Sequence, residues 1–152
     1  MIIRSMKPED YGAVDRLMGQ LNQLHTENRS DLFTDIAHPY SEEEYLEKLS
    51  SPDCVSILAE EQGEILGLCF VSLCPKYSIT KKRLAYMDDL FVVEAARRKG
   101  AATQLFQAAA RHAKALGAEH LTLRVWAFNA SALAFYQSLG MTTQSYVLET
   151  PL

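Results

Sequence analysis

The sequence predicts an α/β fold, a central mixed β-sheet flanked by helices, and three features carry that expectation. Strand-like and helix-like stretches alternate along all 152 residues. Cys54 to Glu60 and Ile65 to Cys74 flank Glu61-Gln-Gly-Glu, the pattern of an antiparallel hairpin turning at Gly63. Tyr86 to Thr103 runs from a β-branched segment through a basic turn into an alanine-rich helix.

Taken in order, Ile2 to Ser5 reads as a first strand. Pro8 sits at a helix N-terminus, where its missing N–H costs nothing and Glu9 and Asp10 complement the dipole. Val14, Leu17, Met18, Leu21 and Leu24 recur at helical spacing, so this helix is expected to run to about His25. Thr26 to Tyr40 has no periodicity and reads as a loop. Ser41 opens a capping box with Glu44 for a short helix through Lys48. After the hairpin, Arg83 to Val93 is a long strand. The next helix buries Leu105, Phe106, Ala109, Ala113 and Leu116, wets Gln104, Gln107, Arg111 and Lys114, and stops at Gly117. His120 to Trp126 reads as a strand, Asn129 to Leu139 as the last helix, closed by Gly140, and Met141 to Glu149 as a final strand.

No linker, repeat or low-complexity tract interrupts residues 1–152, so one domain is expected. No stretch is long and apolar enough for a leader or a membrane span, and a cytoplasmic, membrane-free protein is the reading. Cys54, Cys69 and Cys74 are an odd set without Cys-x-x-Cys spacing and read as reduced core thiols. His38, His112 and His120 have no ligand spacing among themselves or with the cysteines, so no metal is expected. The net charge of -4 argues against a nucleic-acid partner. Residues 1–76 hold 14 acids and 6 bases, whereas residues 77–152 hold 5 acids and 9 bases. A basic half suits an anionic cofactor and an acidic half a cationic amine, although Glu42, Glu43, Glu44 and Glu47 also fit a plainly solvated helix face.

The most informative stretch is Arg97-Arg-Lys-Gly-Ala-Ala-Thr103. The first N–H groups of a helix have no intrahelical partner and the dipole adds positive potential there, so a polyphosphate would bind. Arg97, Arg98 and Lys99 add charge, while Gly100 and Ala102 leave room for close approach by the amides through Ala101 and Thr103. A Walker loop would need Gly-Lys followed by Ser or Thr, and a dinucleotide fingerprint three glycines; neither is present. A second motif, Asn129-Ala-Ser-Ala-Leu-Ala-Phe-Tyr136, spans about two helical turns and puts Asn129, Leu133 and Tyr136 on nearly one face. Asn129 is also a good N-cap in any protein, and Tyr136 a plausible half-buried aromatic.

Arg97-x-x-Gly100-x-Ala102, with the Asn129–Tyr136 motif downstream, resembles the coenzyme A loop and final helix of the GCN5-related N-acetyltransferase superfamily, and the element order matches over nearly the whole chain. The resemblance implies the acyl-CoA N-acyltransferase fold, acetyl-CoA as cosubstrate, and direct acetyl transfer to a primary amine in a ternary complex. A small cationic amine is the leading acceptor, a peptide N-terminus or lysine the alternative, and a non-catalytic acyl-CoA-binding module the rival of another class. It further implies backbone contacts from Leu90, Phe91 and Val92 to the pantetheine arm, Asn129 and Leu133 on the cofactor, Tyr136 as proton donor to the thiolate, and His25, Glu27, Asp31 and Tyr40 on the acceptor side. Asp88 matches an acidic position of some polyamine and aminoglycoside acetyltransferases and is the candidate base, since an amine near pKa 10 arrives protonated and must lose a proton. Asp89 would then face the other way, unless a bulge shifts the alternation, and water alone serves many relatives. Two departures are Glu94 in place of a usual Pro and Arg98 in place of a usual Gly. Relatives usually end in two strands after the last helix where one fits here, so the edge is either open or completed by a second subunit, a homodimer.

Overall fold

A computed structural model describes all 152 residues. Five strands form one sheet in the order β1-β2-β3-β4-β5: β1 Ile2–Ser5, β2 Cys54–Glu61, β3 Glu64–Leu73, β4 Leu84–Val92 and β5 His120–Thr122. The first three junctions are antiparallel and β4–β5 is parallel, so the sheet is mixed. The β2–β3 hairpin turns as its sequence requires, with Gln62 and Gly63 both at positive φ.

Helices cover both faces. One side carries α3, Ala101–Ala115, whose small residues Ala101, Ala108, Ala109 and Ala113 let it lie close on Ile57, Cys69, Val71, Ala85 and Met87. On the other, α1 (Tyr11–Asn28) and α2 (Glu42–Ser50) bury Leu17, Met18 and Tyr45 against Leu58, Leu68, Phe70 and Phe91. Ser41 and Glu44 cap α2 reciprocally, and Gly117 ends α3 at positive φ. The last helix, α4, is Ala130–Ser138.

Several boundaries differ from the sequence reading. The first helix begins as a 3-10 turn at Pro8–Asp10 and continues to Asn28, past His25. The strand expected over His120 to Trp126 stops pairing at Thr122, and Met141 to Glu149 is not a strand at all. Apolar, β-branched composition marks a segment that fits a sheet, but a strand exists only where a neighbour takes up its N–H and C=O groups, and these segments have none in the chain.

Candidate active site

Strand β4 organises the site through one irregularity. Phe70 pairs with Asp89 and Val71 with Met87, so Asp88 is the extra residue of a β-bulge. Alternation breaks there. Ala85, Met87, Leu90 and Val92 pack on the α3 side, whereas Asp88 approaches Lys48 of α2 (3.9 Å) and Asp89 accepts a hydrogen bond from Tyr40 Oη (2.9 Å) on the α1/α2 side. Both aspartates therefore share one face, contrary to regular pleating. Asp88 also accepts a 2.6 Å bond from Ser72 Oγ and so is occupied structurally. Asp89 lies deeper: burial pushes its carboxyl above the ordinary range, and Asp88 adds to this, while Tyr40 and Lys48 pull it back. Asp88, the candidate base of the sequence, is thus the carboxylate tied to Ser72 and Lys48, and Asp89 the one tied to Tyr40.

The bulge also directs the backbone. Val93 N–H donates to Leu66 C=O, and paired bonds alternate along an antiparallel ladder, so Phe91 faces β3 while Leu90 and Val92 turn their N–H and C=O groups to the opposite edge. Of the three residues expected to hold the pantetheine, Phe91 is thereby ruled out as a backbone contact; its side chain is buried beneath α1. Beyond Tyr86, that opposite edge has no strand beside it, because β5 pairs with β4 only over Leu84 to Tyr86. Two parallel strands part there, opening a slot lined by free backbone groups. Arg97 Nε donates to Val92 C=O (3.2 Å) at the slot's outer end, which leaves the Val92 N–H and both Leu90 groups for a ligand.

At that end the chain turns into α3. Arg98 and Gly100 both take positive φ, 61° and 84°. The first helical bond is Gln104 N–H to Gly100 C=O, and the amides from Arg98 to Thr103 find no protein acceptor. They stand free at a helix N-terminus with Arg98, Lys99 and Gly100 exposed around them, which is the geometry of an anion cradle. A cleft of about 370 Å³ adjoins it, lined by Gln20, Gln23, Leu24, Glu27, Phe91, Glu94 and Arg97.

Across the slot stands α4. Asn129 Oδ1 caps it by accepting from Ala132 N–H (3.1 Å), so only its amide NH2 is free for a ligand. Leu133 is largely exposed. Tyr136 packs against Phe106 of α3, ring centroids 6.1 Å apart, and burial, with nearby Cys69 and Asp89, pushes its phenol up, so it stays protonated.

The expected acceptor residues divide. Tyr40 is half-buried and bonded to Asp89. His25 stacks on Phe33 (4.9 Å) in a cluster with Trp126 and Phe128, and burial lowers its pKa, which favours the neutral ring. Glu27 is exposed beside Gln23 on the cleft. Asp31 is claimed by Arg29 (2.8 Å), which removes it as free counter-charge for a cation. Lys48, Phe33 and Trp126 were not legible as site residues, because nothing in their local sequence shows which distant side chains they meet.

An anion cradle leading into a slot between parted parallel strands, with a half-buried phenol and a half-buried carboxylate nearby, suits a transferase whose donor carries phosphate on a long arm. The acetyltransferase (GNAT) family model matches residues 20–141. An uncharacterised N-acetyltransferase of Bacillus subtilis, YhfO, is 35% identical over 142 residues, 92% of this chain and 89% of that protein. The L-ornithine N5-acetyltransferase NATA1 of Arabidopsis thaliana is 31% identical over 93 residues, 60% of this chain and 41% of that one. The crystal structure of a mutant BH1408 protein from Bacillus halodurans superposes with a TM-score of 0.92 at 29% identity, covering 100% of this chain and 99% of that one. The chain belongs to the GNAT family of acetyltransferases, and it is an acyltransferase enzyme.

Proposed function

We propose that the protein transfers the acetyl group of acetyl-CoA to the primary amine of a small cationic acceptor, by direct attack while both substrates are bound. The carrying observation is the row of free amides Arg98–Thr103 that follows a strand, β4, whose outer edge is open beyond Tyr86. The diphosphate sits on the cradle, the pantetheine adds to the free groups of Leu90 and Val92, and the thioester reaches the inner end. Asn129 NH2 and Leu133 border the same arm. An N–H of β4 polarises the thioester carbonyl, the amine attacks carbon to form the carbon–nitrogen bond, the carbon–sulfur bond breaks, and Tyr136 donates a proton to the departing thiolate and regains one, through water, from the second proton the nitrogen sheds. Asp89, rather than Asp88, takes the proton of the ammonium, directly or through water, because it is the carboxylate that burial has made more basic.

A cationic acceptor is supported by the carboxylates of Asp88 and Asp89 on one face of β4 and by the excess of acids in residues 1–76. NATA1, a relative over part of the chain, is an ornithine acetyltransferase, a small diamine acid. Three free cysteines suit a reducing, cytoplasmic setting. Thiol release from acetyl-CoA over a panel of diamines, amino acids, aminoglycosides and peptides tests the reading. Release with a small diamine and not with peptides is expected; a preference for peptide N-termini, or no release with any amine, would refute it.

A further inference from the structure

Lys48, in the last turn of α2, turns inward. Only 23% of its side chain is exposed, and its ammonium stands 5.3 Å from the centroids of both the Tyr40 and the Phe70 rings and 3.9 Å from the Asp88 carboxylate. The two rings meet edge to face at 5.8 Å, so the ammonium sits in a box with two aromatic walls and an acidic floor. Tyr40, one of those walls, is itself held twice: its backbone C=O accepts from Tyr11 Oη (2.9 Å), and its own Oη donates to Asp89 (2.9 Å).

The bulge turns Asp88 and Asp89 to one face, where two carboxylates repel unless a cation accompanies them. The titratable groups around Asp89 are Asp88 on β4 itself, Cys69 of β3, Tyr40 before α2, Lys48 of α2 and Tyr136 of α4, with Glu44 acting on Tyr40. Lys48 is the only cation in that set, because burial keeps the thiol and both phenols neutral. From this we infer that Lys48 is a positioning residue of the acetyl transfer: clamped between Tyr40 and Phe70, it fixes the phenol that bonds Asp89 and offsets the charge of Asp88, so that Asp89 stays available as the base. The inference rests on Asp89 as that base. A lysine that only packed α2 on the sheet, or only complemented the helix dipole, would stabilise the fold without touching the proton balance of the site.

Removing the cation disfavours the carboxylate. Lys48→Met, which keeps the length and apolar packing of the stem, should therefore move the acid limb of kcat/KM to higher pH, with a loss of roughly 10-fold on the limb and a much smaller one on the plateau. Lys48→Arg, which keeps the charge and stacks on aromatic faces, should bring the limb back. Carbon-13 NMR of the Asp89 carboxyl in the free protein should show the same upward move in Lys48→Met, and Asp89→Asn should remove the limb altogether. A limb unmoved in Lys48→Met, or activity lowered equally at every pH while Tm falls, overturns the inference and leaves Asp89 as base. A limb that persists in Asp89→Asn overturns the base itself and the role of Lys48 with it. A limb that stays displaced in Lys48→Arg although Tm is restored shows that shape and not charge matters, and overturns the inference as well.

Discussion

At the scale of single residues, the decisive contrast is between two neighbouring aspartates. Asp88 is held by Ser72 and Lys48, while Asp89 is held by one phenol in a drier place. Because a base must be ionised to work and Asp89 titrates above the ordinary ~3.9, kcat/KM should rise with pH through that elevated value. Asp89→Asn should remove that acid limb and lower turnover by roughly 10² to 10⁴-fold, whereas Asp88→Asn should leave the limb in place. A pH profile unchanged in Asp89→Asn would end its role as base. The linkage to stability has the opposite sense. A raised folded pKa means that the protonated carboxyl favours the fold below the unfolded pKa, and this contribution is lost as pH rises through the folded pKa. The Asp89→Asn melting temperature should therefore fall less than the parent's between mildly acidic and neutral pH. On the other side of the slot, Tyr136→Phe keeps the ring packed on Phe106 and removes only the hydroxyl, so turnover should drop by ~10 to 10³-fold with cofactor affinity nearly constant. Equal turnover in single-turnover kinetics would show that water protonates the thiolate.

At the scale of elements, the slot depends on how closely β3, β4 and α3 approach. Gly67 of β3 sets that distance: a Cβ there would lie 2.8 Å from Phe91 O, 2.9 Å from Val92 Cγ2 and 3.1 Å from Leu105 Cδ1. Backbone cannot step aside as a side-chain tip can. Gly67→Ala should cost about 1 to 3 kcal/mol in urea unfolding and should weaken coenzyme A binding, because it displaces the part of β4 that carries Leu90 and Val92. Stability and affinity both equal to the parent's would mean that the sheet yields without moving the slot. The elements themselves were largely legible in the sequence, since caps, turns and periodicity are local: Ser41 with Glu44, Gly63, and the alanine face of α3 all fold as they read. The bulge was not legible. It is a mismatch in pairing between β3 and β4, and neither strand's composition records it, so Asp88 and Asp89 were assigned by an alternation that the sheet breaks. The segment after Gly140 failed for a related reason, being strand-like in composition with no neighbouring strand in its own chain to pair with.

For the molecule as a whole, the informative fact is an imbalance. Helix α4 is apolar nearly all round, with Ala130, Ala132, Leu133, Ala134, Phe135 and Tyr136 among nine residues, yet none of them is buried. A helix of that composition is ordinarily enclosed, so something is expected to cover it. The opening between β4 and β5 runs beside it, and a pantetheine arm lying there would shield Leu133 and the Tyr136 edge while its diphosphate took up the amides at Arg98–Thr103. Binding at one end would thereby stiffen the other. A ligand at a hundredfold excess over its Kd stabilises the native state by about 2.7 kcal/mol. For a domain of this size that corresponds to a rise in Tm of roughly 5 to 10 °C. Coenzyme A should produce this rise in the parent, together with slower amide exchange throughout residues 130–138. Gly100→Glu should abolish both, since position 100 is held at positive φ, where a side chain is strained, and the added carboxylate would face the diphosphate. Adenosine 3′,5′-bisphosphate, which lacks the arm and carries no diphosphate, should leave α4 exchanging as fast as in the free protein. If coenzyme A raised Tm equally in Gly100→Glu, or protected the N-terminus of α3 without α4, the cradle and the final helix would not belong to one cofactor site.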